Sequence, residues 1–309
     1  MVPSYSVETL TSRMIHAVNS CWHQSDLSER LEQWIAFKRE EGFSFSRLTQ
    51  LHFHMYQKEE SEHVLHLSAS VELMMLALDV MDDLQDQDNM NQPWMDEPSV
   101  SMNMATGLLF LSLDELRHTS CQPAIYQMVH KQVLQAVHGQ HRDLMGRAAS
   151  EEAFLDVIKN KSGALMAFAA LVGAGAVTSK DHELIRIYME DFGVAAQLAN
   201  DLHDLLRMDE KNDLLNRKWT LATMLLTEEK GEENFRIKEY YEGRMSPDFL
   251  IEEKESLFDW VGQSTVIPYM KVMIRFYQRK ALNTLYTLNV DPSAKEEMKR
   301  TIHQLYPHS

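Results

Sequence analysis

Four aspartates, Asp79, Asp82, Asp83 and Asp86, stand at i, i+3, i+4 and i+7 in LDVMDDLQD. On a helix this spacing puts all four on one face over two turns. Like charges so placed repel by a few tenths of a kcal/mol per pair. Pro93 suggests that the helix ends nearby, where the macrodipole also opposes negative charge. A hard cation removes both conflicts, because Mg²⁺ favours one or two carboxylates together with water and phosphate oxygens. Such a face therefore suits a metal that arrives with a diphosphate, although a solvated acidic helix end would account for this cluster alone. A second set tips the balance: Gln197, Asn200, Asp201 and Asp204 repeat the same spacing in QLANDLHD. Two such faces across a cavity would place oxygen ligands on both sides of one diphosphate, each bridged to it by metal. Lys161 in KSG, at an expected helix start, and Lys218 in RKWTL are available to neutralise the remaining oxygens, while the ordinary alternative for either is an exposed surface lysine.

The elements that must hold these residues are helices. Apolar residues recur at three and four, as in Leu31-Trp34-Ile35 and Met270-Met273-Ile274-Tyr277, and strand-like alternation is hard to find. Pro93, Pro98, Pro123, Gly146, Ser179, Pro247 and Pro292 punctuate the pattern into about a dozen helices with no long linker or repeat. The expectation is one all-α domain over residues 1–309, a helical bundle with a central cavity. The run VELMMLA before the first aspartates is apolar nearly all round, which marks a buried helix whose acidic end opens into that cavity. Twenty methionines read as plastic core filler. His52, His54, His63 and His66 form no HExxH or comparable set and read as ordinary helix histidines. Cys21 and Cys121 lack metal-ligand or redox spacing and are expected to be free thiols.

A net charge of -16 argues against an electrostatic grip on nucleic acid or anionic lipid, and leaves an anionic substrate to be held through cations and a few basic residues. No basic-then-apolar leader opens the chain, so a cytoplasmic protein is expected, peripheral at the membrane at most.

With those residues in view, the chain resembles the trans-isoprenyl diphosphate synthase superfamily over about residues 40 to 225, in an ordered series of motifs. ELMMLALDVMDDLQD resembles the first aspartate-rich motif, Gly139-Gln140-His141-Arg142-Asp143 resembles GQxxD, and Lys161-Ser162-Gly163 resembles the lysine motif that touches the allylic diphosphate. Phe192-Gly193 through Asp204 resembles the second aspartate-rich motif with Asn200 in its first position, and Asp213-Leu214 with Lys218-Trp219-Thr220 resembles the segment that follows. The resemblance implies the type I isoprenoid synthase fold, a homodimer, and two or three Mg²⁺ ions held by Asp82, Asp86, Asn200, Asp201 and Asp204. It makes Asp82, Asp86, Lys161 and Lys218 the catalytic set, with Gln140 and Gln197 at the substrate and Asp83 and Gln197 orienting metal ligands.

The departures say what is absent. Chain-elongating synthases grip a second diphosphate with a lysine, arginines and a histidine. Here Ser44 replaces the lysine, Met75 stands at the histidine position, Asn91-Gln92 stand where arginines are expected, and only Arg47 remains to touch substrate. Without those charges a second diphosphate would lose hydration with little return. The donor site is kept and the acceptor site, marked by Met75, has become apolar. This pattern resembles the ComQ-type isoprenyl transferases. For that family the donor is geranyl or farnesyl diphosphate and the acceptor is a tryptophan of a ComX-like pheromone precursor peptide, within quorum sensing and competence. Ala77 and Leu78 put no aromatic floor below the aspartates, so a farnesyl tail is allowed. A chain-elongating synthase, a terpene cyclase and a non-catalytic partner subunit are the alternatives.

Overall fold

The computed structural model describes residues 5–57, 62–87, 90–119, 123–146, 148, 150–207 and 212–305, with backbone only at 123–125, 128, 129, 304 and 305. Asp88 and Cys121 lie outside the described residues. Among the described residues there is no strand. The first half of the chain forms α1 (Val7–Cys21), α2 (Asp26–Glu41), α3 (Ser44–Tyr56), α4 (His63–Asp86), α5 (Pro98–Arg117), α6 (Pro123–Leu144) and α7 (Glu151–Ile158). A π-helical turn, Lys159–Gly163, joins α7 to α8 (Ala164–Ala174), which leads to α9 (Ser179–Leu206). Five more follow: α10 (Leu221–Glu228), α11 (Glu232–Tyr241), α12 (Asp248–Glu252), α13 (Lys254–Gln263) and α14 (Val266–Leu285), before the closing α15 (Pro292–Leu305).

The breakers fall where elementary chemistry puts them. Pro98 opens α5, where its missing N–H costs nothing, and Thr178 caps α9 by accepting from the Asp181 amide. Two helices organise the rest. α4 contributes one side to a core shared with α3, α8 and α9 and the other to a core shared with α1, α2 and α5. Its length and apolarity would suffice to cross a membrane, but most of it is buried inside the bundle, as expected of a central core helix. α9 likewise joins the α4 side of the molecule to a core built with α10 through α14. The acidic ends of these two central helices are therefore held by the packing of the whole molecule.

The histidines settle as ordinary structural groups. His52 is fully buried, donates or accepts at the Leu48 carbonyl and the Tyr188 hydroxyl, and burial pushes its pKa down to about 4. His66 pairs with Glu115 at 3.0 Å. Cys21 is a free, exposed thiol.

Candidate active site

Lys161 is the hub of the site. The expectation of a helix start at Lys161 is corrected by the structure: the residue sits inside a continuous helical path, in the π turn between α7 and α8. An inserted residue in a helix shifts the facing of its side chains and is a common device at functional sites. Lys161 Nζ lies 3.0 Å from Asp82 Oδ1 on α4 and 3.1 Å from Asp143 Oδ2 on α6. Burial opposes its charge, but Asp82 and Asp143, with Asp86 beyond them, more than offset this and hold its pKa above the ordinary lysine value. The ammonium is fixed in place before any substrate arrives.

The neighbouring residue faces the second motif. Ser162 donates to Gln197 Oε1 at 2.9 Å, and Gln197 Nε2 donates to Asp201 Oδ1 at 2.8 Å. One turn of chain thus addresses both acidic helix ends. Asn200 donates to Asp204 at 3.0 Å, and Arg207 donates to the other oxygen of Asp204 at 3.2 Å. Asp201 is buried, and burial pushes its pKa up to about 7, against the lowering effect of the Gln197 bond; Asp204 and Asp143 push it further up while Lys218 pulls it down. The last two influences put Asp143 and Lys218 within electrostatic reach of the second motif.

Motif glycines permit this closeness. A Cβ on Gly139 would lie 2.5 Å from the Lys161 amide nitrogen, and one on Gly193 would lie 2.5 Å from Gly163 Cα. α6 and α9 therefore cross the π turn backbone to backbone, which only glycine allows. Lys218 is placed by its main chain: its amide donates to the Asp213 carbonyl at 2.9 Å and its carbonyl accepts from the Tyr241 hydroxyl at 2.9 Å. Asn212, just before, caps the end of α9 by donating to the carbonyls of Asp204, Leu205 and Arg207.

The structure thus gathers Asp82, Asp86, Lys161, Gln197, Asn200, Asp201, Asp204 and Lys218 around one locus, and Gln140 at its edge, where it donates to Gln85 of α4 at 3.0 Å. Four residues fall elsewhere. Asp83, expected to orient metal ligands, instead accepts from the buried Trp94 indole N–H at 2.8 Å. Arg47 is exposed and reaches Thr301 of α15 at 3.5 Å. Met75 is 2 % exposed, within the core formed with α3 and α8. Asp79 pairs with Lys38 of α2 at 2.8 Å rather than facing the other carboxylates. Asp143 is the residue that sequence reasoning passed over. It closes the GQxxD motif already noted, and its position one turn after Gly139 was the available signal.

Chemically the donor set is split. Among the described residues no three His, Cys, Asp or Glu side chains converge tightly enough to ligate a metal unaided. A cation here would be shared with oxygens brought by the substrate, which is how Mg²⁺ prefers to bind beside phosphates. The carboxylates of Asp82, Asp86 and Asp204 and the amide oxygen of Asn200 are suitable hard donors. With its pKa raised to about 7, a large share of Asp201 is protonated at neutral pH in the free protein, and that proton must leave before its carboxylate can serve a cation. Because its pKa is raised, this protonated form dominates below about 7, so cation-supported turnover is expected to fall as pH drops through that value. A pH–rate profile of wild type against Asp201→Asn checks this: the acidic limb should flatten in the variant, and an unchanged limb would assign it to another group.

The chain is similar to proteins of one family and one fold. The polyprenyl synthetase family model matches residues 45–255, which span every motif above. The chain is 30% identical over 285 residues to the tryptophan prenyltransferase ComQ of Bacillus subtilis strain 168, covering 90% of this chain and 92% of that protein. Among solved structures it is similar to a geranylgeranyl pyrophosphate synthase from Lactobacillus brevis, with a TM-score of 0.80 at 14% identity over 97% of this chain and 95% of that one. It is also similar to a polyprenyl synthase from Caulobacter crescentus complexed with calcium and isoprenyl diphosphate, with a TM-score of 0.77 at 18% identity over 99% of both chains.

Proposed function

This chain belongs to the polyprenyl synthetase family, as a ComQ-type prenyltransferase, and we propose that it transfers a geranyl or farnesyl group from the diphosphate to the indole ring of a tryptophan in a ComX-like pheromone precursor peptide. One contrast carries this reading. The donor-side residues converge on Lys161, whereas the positions that would grip a second diphosphate hold Ser44, a core-buried Met75, Asn91-Gln92, and an Arg47 turned to Thr301. A neutral aromatic acceptor needs no such charges.

The allylic C1–O bond breaks as diphosphate departs, indole C3, which already bears the peptide side chain, then bonds to C1, and the N1 proton of the resulting iminium is lost to the released diphosphate, leaving a C2=N1 double bond. Mg²⁺, when bound between the two acidic helix ends, would neutralise charge on the departing diphosphate. Lys161 and Lys218 would donate to oxygens of the same group, which stabilises the charge that develops in the transition state. Asp143 keeps Lys161 aimed into the site. Ser162 and Gln197 set the orientation of Asp201. The isoprenoid tail would lie along the apolar α4 segment before the aspartates, where no aromatic side chain stands at Ala77 or half-buried Leu78 to exclude the longer chain.

We propose that the reaction takes place in the cytoplasm and serves pheromone maturation for quorum sensing and competence. The test is mass spectrometry of a tryptophan-bearing precursor peptide after incubation with Mg²⁺ and either donor. A mass gain of one prenyl unit on tryptophan is expected. Longer isoprenyl diphosphates from isopentenyl diphosphate, a hydrocarbon from the donor alone, or no turnover would point instead to chain elongation, cyclisation or a non-catalytic subunit.

The working unit is proposed to be a homodimer. Large apolar side chains stand exposed along α5 and α6, among them Met102, Phe110, Leu134 and Val137, and a patch of this kind marks a protein interface. Light scattering should give twice the 35.8 kDa chain mass for wild type and a monomer for Phe110→Glu/Leu134→Glu. A monomeric wild type excludes the dimer.

A further inference from the structure

α14 reverses the charge of the molecule that carries it. Its 20 residues, VIPYMKVMIRFYQRKALNTL, hold Lys271, Arg275, Arg279 and Lys280 and no acid, within a chain of net charge -16. Met270, Ile274, Ala281 and Leu285 form the buried stripe. On the opposite side Val272 and Phe276, one turn apart, are 61 % and 56 % exposed, and Tyr269 and Tyr286 are exposed toward the two ends of the helix. Arg275 and Arg279 flank this ridge, with Lys271 beside them.

The pairing of the basic residues distinguishes this face. Lys280 is spent on buried Asp191, at 2.9 Å. Lys271, Arg275 and Arg279 have no ion-pair or hydrogen-bond partner among the described residues. The other described arginines all pair with a carboxylate or hydrogen-bond to a side chain or a carbonyl, as Arg13 does to Glu115, Arg186 to Glu190 and Arg217 to the Tyr240 carbonyl. In so acidic a protein, unpaired cations around protruding apolar groups point to an anionic partner outside the chain.

We propose that the solvent face of α14 docks on an anionic membrane surface, with Val272 and Phe276 entering the headgroup region and Lys271, Arg275 and Arg279 lying over lipid phosphates. Apolar side chains flanked by cations along one helical face are the means by which a helix lies in the membrane interface. Each cation near such a surface adds to the attraction. Val272 and Phe276 protrude rather than line a recess, which favours a fluid, flat partner over an acidic peptide seeking a groove. The net charge, which by itself opposes binding to anionic lipid, is a sum over the whole surface, whereas the attraction is felt only within about 10 Å of it. The inference does not depend on the identity of the prenyl acceptor.

Co-sedimentation of the full-length protein with vesicles tests it. Binding is expected to vesicles rich in phosphatidylglycerol, to weaken with added salt, and to be absent with pure phosphatidylcholine. Neutralising two cations, in Arg275→Gln/Arg279→Gln, should lower the partition coefficient by about thirtyfold, and Phe276→Ser should lower it independently at unchanged charge. Circular dichroism and transfer of the prenyl group in solution should match wild type for both variants. No binding to the anionic vesicles, equal binding to both lipids, wild-type binding by both variants, or a change of oligomeric state in Arg275→Gln/Arg279→Gln would each overturn the assignment, the last because it would show a second copy covering this face.

Discussion

Asp82→Asn is expected to lower the rate of prenyl transfer by about two to three orders of magnitude, the usual cost of removing one preorganised electrostatic group from a site where charge develops. Two losses combine. The site gives up a hard anionic oxygen for the cation, and Lys161 gives up the partner 3.0 Å away that helps hold it. Lys161→Met should act on the same step, so the double variant should be far less damaging than the product of the single effects. Asp83→Asn is the informative contrast. Its carboxylate accepts from Trp94 and sits beside the core of α1, α2, α4 and α5, so stability should fall by about 1–3 kcal/mol with turnover of the folded fraction nearly kept. Single-turnover measurements at saturating donor, peptide and Mg²⁺ make the comparison. Full activity in Asp82→Asn, or equal losses in Asp82→Asn and Asp83→Asn, would refute the assignment of roles within this motif.

Gly193→Ala is expected to unfold or loosen the site as a whole. The added methyl would lie 2.5 Å from Gly163 Cα and 2.9 Å from its amide nitrogen. Both contacts are backbone, so no flexible side chain can move aside, and α9 must shift away from the π turn. That shift separates Ser162 from Gln197, the bond that couples Lys161's segment to the second motif. Overpacking of this kind costs about 1–3 kcal/mol, which for a chain of this size is roughly a 2–5 °C loss in Tm. Gly262→Ala supplies the control, since its Cβ would enter open space within α13 and helix propensity favours alanine. A thermal melt of the pair, with activity at a temperature where both remain folded, checks the claim. Wild-type stability and activity in Gly193→Ala would mean that the crossing is looser than the structure places it.

The all-α architecture, the order of the motifs and most of the candidate site residues could be read before any fold was known, because each is a local property. Helical period follows from which residues are apolar at spacings of three and four, and Asp82, Asp86, Asn200 and Asp204 announce themselves by type and spacing alone. Direction around the helix was not legible at the same resolution. Asp79, Asp82 and Asp83 are close neighbours on α4, yet they face Lys38, Lys161 and Trp94, on three different elements. Successive residues step by about 100° around a helix, and which of those directions holds solvent, cation or indole is decided by what packs there. The π turn was likewise invisible, since nothing in KNKSG signals it, and it is this turn that lets Lys161 and Ser162 address opposite helix ends. Asp143 became meaningful only when α6 was seen to cross at Gly139. Total charge concealed the basic face of α14 for the same reason. Residue types and their spacing along the chain, with the family resemblance they carry, pointed to prenyl transfer; only three-dimensional packing, which sets distance and facing between segments far apart in sequence, determined which groups lie together.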